Sequence, residues 1–148
     1  IYSPKWQKIA LVYEYLNLYG KLKGYFMTGD LGYVDDDGSF HYVDRKKDLI
    51  IKAGINIAPS QIDELLQTHP SVKEVATVGK PDPYLGEIIK SFIILKENST
   101  VDKKELLLFC KAELGDFKTP SEIEFVESLP LGPSGKILKR ELRDKIVS

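Results

Sequence analysis

The chain has 148 residues, the size of one domain or of one domain with part of another. Its 21 Lys and Arg nearly balance its 22 Asp and Glu, so its charge favours neither a nucleic-acid partner nor an anionic membrane. One cysteine excludes an internal disulfide and a multi-cysteine metal site and is typical of a reducing compartment, so we expect a cytoplasmic protein.

The predicted elements begin with a helix. Apolar residues near helical spacing, with a proline suited to the first turn, predict a helix over residues 4–19. Residues 35–38 (Asp-Asp-Asp-Gly) are a turn signal between aromatic and β-branched residues and predict a hairpin. Short strands are expected at residues 40–43 and 49–51, on either side of the polar residues 44–48.

The rest of the chain has a mixed α and β pattern. Its predicted elements are, in order, helix 59–69, strand 72–79, loop 80–86, strand 88–95, a helix that begins at Asp102, strand 123–126 and helix 139–146. This order predicts an α+β fold in which a short central sheet is flanked by helices.

Two polar stretches are candidates for binding. In Thr28-Gly29-Asp30, a carboxylate behind a glycine can accept hydrogen bonds from a vicinal diol such as ribose, or it can cap a local turn. Around Arg45, five successive polar residues form either a solvated connection or a hinge, because a segment without buried side chains can change its backbone angles easily. The residue types alone do not decide between ribose binding and turn capping at Asp30. They also do not decide between a solvated connection and a hinge around Arg45.

Two glycine-containing loops are the other candidates. Gly54, within residues 52–59, permits close approach of a ligand to the backbone, or it belongs to a plain strand-to-helix loop. Residues 132–136 (Gly-Pro-Ser-Gly-Lys) form a turn that holds Lys136 at a fixed place instead of on a helix face. The flanking residues differ from those of a Walker phosphate loop, so that class of site is excluded.

Other residues are assigned to ordinary structural roles. Lys139, Arg140 and Arg143 are expected on a solvated helix face, and Cys110 in the core. The two histidines lie far apart and lack metal-ligand spacing. No apolar run approaches the roughly 20 residues of a membrane span, so no transmembrane segment is expected. The chain begins at Ile1 rather than Met, which indicates a fragment.

The order and separation of these stretches resemble those of one superfamily. Residues 24–32 (GYFMTGDLG) resemble the TGD motif of the adenylate-forming enzymes, which include acyl-CoA synthetases, peptide-synthetase adenylation domains and beetle luciferases. Residues 44–51 (DRKKDLII) resemble its hinge motif, and residues 129–142 (LPLGPSGKILKREL) resemble its C-terminal lysine motif. The resemblance covers about residues 24–143, and the string after the hinge arginine is similar to acyl-CoA ligases.

The resemblance implies a two-step ligase reaction. A carboxylate would attack the α-phosphate of ATP to give acyl-AMP, and the thiol of coenzyme A would then displace AMP. The implied substrates are a carboxylic acid, expected to be a straight-chain fatty acid, with ATP and coenzyme A. Mg²⁺ would bind through the ATP phosphates, and the fragment alone would bind no cofactor. An aryl-CoA ligase or a carrier-protein-loading adenylation enzyme is the first alternative, and a non-enzymatic, lid-like module that binds a partner is the second.

The resemblance also implies roles for single residues. Asp30 and Arg45 would hold the ribose hydroxyls of the nucleotide. Lys136 would contact the substrate carboxylate and the α-phosphate oxygens and stabilise the charge that develops there. Lys47 would be the pivot about which a mobile domain rotates between the two half-reactions.

The implied domain organisation has a boundary after residue 46. Residues 1–46 would be the β-rich tail of a large N-terminal domain that binds the nucleotide and the acyl group, and residues 47–148 would be a mobile C-terminal lid. Gly54 and Ala53 of the lid would line the tunnel for the pantetheine of coenzyme A. The implied partner is the missing N-terminal domain of the same chain, so we expect the fragment alone to be inactive.

Overall fold

The computed structural model describes residues 10–16 and 22–147, with the side chains of residues 29–33 and 35–147. The chain divides into two compact units, Ile1–Lys47 and Asp48–Ser148.

The strands described in the first unit are β1 (Ala10–Leu16), β2 (Leu22–Val34) and β3 (Phe40–Arg45). They form an antiparallel sheet in the order β1-β2-β3, so the predicted hairpin between β2 and β3 is confirmed. Asp35 closes the hairpin turn, because its Oδ1 accepts hydrogen bonds from the backbone N–H groups of Asp37 and Ser39. A short polar side chain that bonds the backbone two residues on is the usual device of such turns.

The predicted helix over residues 4–19 is wrong where the structure describes it. Residues 10–16 form β1, and the rest of that prediction lies outside the described residues. In the ladder between β1 and β2, Tyr13 lies opposite Phe26. Aromatic and β-branched residues favour strands when a partner strand is present, and this pairing overrides the helical spacing of the apolar positions.

The second unit contains one sheet and three helices within the described residues. Its strands are β4 (Ile50–Lys52), β5 (Ile55–Ile57), β6 (Val72–Asp82), β7 (Gly86–Leu95) and β8 (Glu122–Phe125). Its helices are α1 (Pro59–Thr68), α2 (Lys103–Lys118) and α3 (Lys139–Val147), and a short 3₁₀ helix, Lys46–Asp48, precedes β4. The strand order is β5-β4-β7-β6, and β8 pairs in parallel with β7.

The helices begin where the sequence predicts. Pro59 stands in the first turn of α1, where a missing N–H is harmless. Asp102 caps α2, because its Oδ1 accepts the backbone N–H of Glu105 at 2.8 Å. Inside α2, Gly115 has a φ of 74°, so the backbone leaves helical geometry before the last residues of the helix.

The strands differ most from the prediction around residues 80–86 and 55–57. β6 and β7 continue through most of the predicted loop 80–86, down to the pair Asp82–Gly86, and leave a short turn between them. β5 is absent from the sequence-based prediction, because three residues are too few to show an alternating pattern.

The core of the second unit lies on both faces of its sheet. Val75 and Ala76 are adjacent in β6 and therefore point to opposite faces. Val75 belongs to a cluster with buried residues of α1 and α2, whereas Ala76 belongs to a cluster with Leu142 of α3. Helices thus cover both faces, and the predicted α+β fold with a central sheet flanked by helices is confirmed. None of the described helices is long and apolar enough to cross a membrane.

Candidate functional site

Asp30 and Arg45, the predicted ribose-binding residues, are neighbours in the first unit. They lie directly opposite each other in the β2–β3 ladder, and Arg45 Nε is 3.3 Å from Asp30 Oδ1. Gly29 before them has a φ of 78°, and no atom lies within 4 Å of the position that a Cβ would occupy. The Arg45 side chain keeps 50% of its surface exposed, and the Asp30 side chain keeps 25%. A carboxylate that accepts hydrogen bonds beside a guanidinium that donates them can bind a diol.

Lys47, the predicted pivot, lies in the 3₁₀ helix Lys46–Asp48, which has no buried residue. The polar connection before it is shorter than predicted, because β3 continues to Arg45. Asp44 is buried and its Oδ1 accepts the backbone N–H of Arg45 at 2.8 Å, so the interpretation of residues 44–48 as a segment without buried side chains is wrong at this residue. The exposed residues of this segment are therefore Arg45, Lys46 and Lys47, whereas the Asp48 side chain is only 16% exposed.

Ala53 and Gly54 form the two-residue turn of a hairpin between β4 and β5. Their φ angles are 49° and 76°, and positive φ at both central residues is the geometry of a type I′ turn. The interpretation of residues 52–59 as a plain strand-to-helix loop is therefore wrong. Both turn residues are exposed, and no atom lies within 4 Å of the position that a Cβ of Gly54 would occupy. The turn leaves room for a ligand chain to pass.

The turn between β6 and β7 supports this hairpin. Ala53 donates its backbone N–H to the carbonyl oxygen of Leu85 at 2.7 Å. Asp82 Oδ1 accepts the backbone N–H groups of Leu85 and Tyr84, and these hydrogen bonds hold the pKa of Asp82 below its usual value. The sequence-based prediction missed this support. An Asp flanked by prolines, with a Gly four residues later, is the signal that could have indicated it.

Lys136 lies on a closed turn directly before α3. The backbone N–H of Gly132 donates to the carbonyl oxygen of Lys136, and that of Leu138 donates to Pro130, both at 2.8 Å. Gly135 has a φ of 77°, a conformation that glycine adopts without strain. The Lys136 side chain is exposed, and no ion pair engages its ammonium within the part of the chain that the structure describes. The backbone is fixed while the charged group stays available.

The prediction of a solvated basic face on α3 is wrong for two of its three residues. Arg140 is exposed as expected, with 89% of its side-chain surface accessible. Lys139 Nζ lies 2.8 Å from Asp63 Oδ2 of α1, and Arg143 forms an ion pair with Asp48. The exposed fractions of the Lys139 and Arg143 side chains are only 18% and 29%. Residues four apart share one face of a helix, and this face points toward the body of the unit.

The Asp63 carboxylate is largely buried, with 19% of its side-chain surface exposed. Burial raises the pKa of Asp63, while the charge and hydrogen bond of Lys139 and hydrogen bonds from Thr77 oppose that rise. A carboxylate in such a place depends on its cationic partner, because an uncompensated charge out of water is strongly unfavourable. The start of α3 is therefore tied to α1.

Two chemistries find no candidate among the described residues. No group of three His, Cys, Asp or Glu side chains in that part of the chain is arranged to hold a metal ion. Cys110 is fully buried, as predicted for a core residue, and burial raises the pKa of its thiol to about 11. A protonated, buried thiol is not a nucleophile.

Comparison with known proteins identifies the second unit. Residues 61–136, slightly more than half of the 148 residues, match the family model described as the AMP-binding enzyme C-terminal domain. The matched segment runs from α1 to Lys136, and it includes the sheet strands β6, β7 and β8.

Individual relatives agree with this match. The chain is 49% identical over 119 residues to a sulfoacetate–CoA ligase of Cupriavidus necator, a match that covers 80% of this chain and 23% of that protein. It is 42% identical over 122 residues to a long-chain-fatty-acid–CoA ligase of Bacillus subtilis, with 82% and 22% covered. The solved structure of ATP-bound MatB from Rhodopseudomonas palustris superposes with a TM-score of 0.78 at 34% identity, over 82% of this chain and 24% of that one.

The chain thus spans less than a quarter of the length of the curated relatives named above. The family match, the α+β architecture and the order of the three motifs agree with one another. The chain therefore belongs to the AMP-binding enzyme C-terminal domain family and represents the C-terminal portion of an adenylate-forming enzyme.

Proposed function

We propose that the intact protein is an AMP-forming acyl-CoA synthetase. The two curated relatives described above are named as CoA ligases, which supports this reaction class. In the first half-reaction, a carboxylate oxygen attacks the α-phosphorus of ATP, the bond from that phosphorus to the bridging oxygen breaks, and pyrophosphate leaves. In the second, the sulfur of coenzyme A bonds to the acyl carbon, the bond from that carbon to the phosphate oxygen breaks, the thiol proton passes to water, and AMP leaves.

The observation that carries the proposal is the exposed ammonium of Lys136 on its closed turn. Negative charge develops on the non-bridging oxygens of the α-phosphate as the carboxylate oxygen bonds to its phosphorus. A cation held at a fixed place stabilises that charge without reorganising at the moment of reaction. Lys136 is therefore our proposed catalytic residue for the first half-reaction.

The other predicted residues bind the substrates. Asp30 and Arg45 hold the ribose hydroxyls, a role that their side-by-side placement in the β2–β3 ladder supports. Ala53 and Gly54 line the path of the pantetheine chain, a role that the open space at Gly54 supports. Mg²⁺ enters with the phosphates of ATP, which are oxygen ligands that it prefers.

The domain roles follow the same proposal. Residues 1–46 are the tail of a large N-terminal domain, residues 47–148 are the mobile lid, and Lys47 is the pivot between the two half-reactions. The exposure of Lys46 and Lys47 supports a pivot there, because neither side chain packs into a core that would have to break when the backbone angles change. The isolated fragment is inactive in this proposal.

The acid that we propose is a straight-chain fatty acid, supported by the similarity to the long-chain-fatty-acid–CoA ligase. Sulfoacetate is the competing candidate, supported by the higher identity of 49% to the sulfoacetate–CoA ligase. A panel of fatty, aromatic and sulfonated acids, each offered with coenzyme A or with a carrier protein, measures which acid and which thiol give the highest kcat/KM. A preference for sulfoacetate or for a carrier protein would replace the fatty-acid assignment.

Replacement of Lys136 by Ala in the intact protein tests the proposal itself. We expect the rate of pyrophosphate release from acid and ATP to fall by about 100-fold or more, the loss seen when a charge-stabilising group is removed. Thioester formation from supplied acyl-AMP should persist, because that step forms no bond to the α-phosphorus. An equal loss in both half-reactions, or no loss in the first, would contradict the assignment.

A further inference from the structure

Helix α3, which follows Lys136, is anchored to its unit at three places. Lys139 Nζ bonds Asp63 Oδ2 at 2.8 Å near the start of the helix. Leu142 is 2% exposed and packs into the apolar cluster on one face of the sheet. Arg143 completes the set with its ion pair to Asp48. A helix held by an apolar contact between two ion pairs is fixed in position as well as in orientation.

The Arg143–Asp48 pair differs from the other anchors because it joins α3 to the 3₁₀ helix that contains Lys47. Asp48 is the last residue of the 3₁₀ helix Lys46–Asp48 and the first residue of the second unit. Its partner lies 95 residues further along the chain. The Asp48 side chain is 16% exposed and that of Arg143 is 29% exposed, so the pair is screened less by salt than a fully exposed pair. Arg143 therefore ties α3 to the residue directly after Lys47.

The turn that carries Lys136 is joined closely to α3. Only two residues separate Lys136 from Lys139, the first residue of the helix. Leu138, between them, donates its backbone N–H to Pro130 at 2.8 Å and accepts that of Glu141 at 3.0 Å. Displacement of α3 therefore displaces the Lys136 turn with it.

The Ala53–Gly54 turn reaches Asp48 by a different route. It is joined to Asp48 directly by β4, over a few residues of the same chain segment. Its position relative to the segment after Lys47 therefore does not depend on Arg143. An experiment that removes the Arg143–Asp48 pair can therefore affect the Lys136 turn without affecting the Ala53–Gly54 turn.

We propose that Asp48 and Arg143 are positioning residues that couple the pivot at Lys47 to the Lys136 turn. When the backbone at Lys47 rotates, the ion pair fixes the position of α3, and with it the ammonium of Lys136, relative to the residue directly after the pivot. The pair acts within the second unit and is kept in both half-reactions. This inference rests on the proposed function, and it predicts a selective effect on the half-reaction that uses Lys136.

Variants of the intact protein test the coupling. We expect Arg143→Met and Asp48→Asn each to lower the rate of acyl-AMP formation by about 10- to 100-fold, because misplacing a reacting group by roughly 1 Å has an effect of that size. The double variant should be no slower than the slower single variant, since both changes remove the same contact. Arg143→Lys should recover part of the rate, because it keeps the charge but loses the planar fork of donors. Thioester formation from supplied acyl-AMP should change by less than about threefold.

A matched control is available one turn away. Arg140 lies on the same helix, and its pair with Asp144 at 3.8 Å is exposed, so Arg140→Met should leave both half-reactions unchanged. Parallel losses in both half-reactions that track a fall in the melting temperature would show a purely structural role and overturn the inference. If Arg143→Met forms acyl-AMP at the original rate while Lys136→Ala does not, the inference is overturned and the proposed function stands. If Lys136→Ala keeps full activity in the first half-reaction, the proposed role of Lys136 fails and the inference fails with it.

Discussion

Cys110 shows at the scale of one residue how burial sets chemistry. Its thiol is fully buried in the cluster that joins α1 and α2 to the sheet, and its pKa is raised to about 11. At about pH 8 only about one thiol in a thousand is ionised, and reagents do not reach it. We expect iodoacetamide to leave Cys110 unmodified in the folded chain and to alkylate it in concentrated urea, as measured by peptide mass spectrometry. Equal labelling in both conditions would contradict this placement.

The charged residues of α3 mark the limit of prediction at this scale. The sequence gives no local difference between Lys139, Arg140 and Arg143. Nevertheless, only the Arg140 side chain is largely exposed to solvent. The partners of the other two lie 76 and 95 residues away, so no local pattern could distinguish the three. Lys136 was placed correctly on a turn, because Pro, Ser and Gly before it are local signals. Its roles in catalysis and those of the ribose and tunnel residues stay predictions.

At the scale of elements, a row of charges joins β8 to the rest of the sheet. Lys80 Nζ of β6 lies 2.5 Å from Glu122 Oε1 of β8, and Lys90 of β7 lies 2.8 Å from Glu124. The hydrogen bond from Lys80 is the main reason that the pKa of Glu122 is below its usual value. A carboxylate with a depressed pKa stabilises the folded state above its unfolded-state pKa, and this contribution is lost as the pH falls through the folded-state pKa.

Replacement of Lys80 by Met tests that contribution. We expect the pKa of Glu122 to rise toward the ordinary value of about 4.3, which NMR titration of the carboxyl carbon measures. The variant should be less stable than the original chain near neutral pH, by at most about 1 kcal/mol because the pair is partly exposed. The difference should shrink as the pH falls below that value, since both proteins then carry a protonated Glu122. Urea unfolding at neutral and acidic pH measures it, and a difference independent of pH would argue against the pair.

Prediction of the elements succeeded where a pattern is long and amphipathic. Helices α1 and α2 show both a start signal and a buried stripe, so the sequence locates them well. Strand β1 was mistaken for a helix because its apolar spacing is ambiguous until β2 is known to pair with it. Strand β5 consists of three residues, and its turn contains Ala53, a residue type that seldom adopts a positive φ.

At the scale of the whole molecule, Lys47 is the proposed place where the backbone turns, and its side chain is exposed. Lys47→Pro in the intact protein fixes φ near −65° and removes a backbone N–H. If Lys47 is the pivot, overall turnover should fall by about tenfold or more, while at least one half-reaction measured alone persists, because conformational steps limit the turnover of many such enzymes.

Lys47→Ala is the matched control for that measurement. Alanine removes the same charge but keeps the freedom of the backbone, so its turnover should stay close to that of the original protein. Unaltered turnover in Lys47→Pro would move the pivot elsewhere. A similar loss in both variants would assign the effect to the ammonium of Lys47 instead of to its backbone.

The position of α3 has a consequence for how the unit is made. Leu142 covers the sheet face that holds Ala76, Val78 and Phe92, and a ribosome synthesises this helix after every strand of that sheet. Until α3 leaves the exit tunnel, this hydrophobic sheet face of the nascent chain stays exposed, and exposed hydrophobic surfaces promote aggregation and recruit chaperones. Maturation of the whole sheet therefore waits for the helix translated after it.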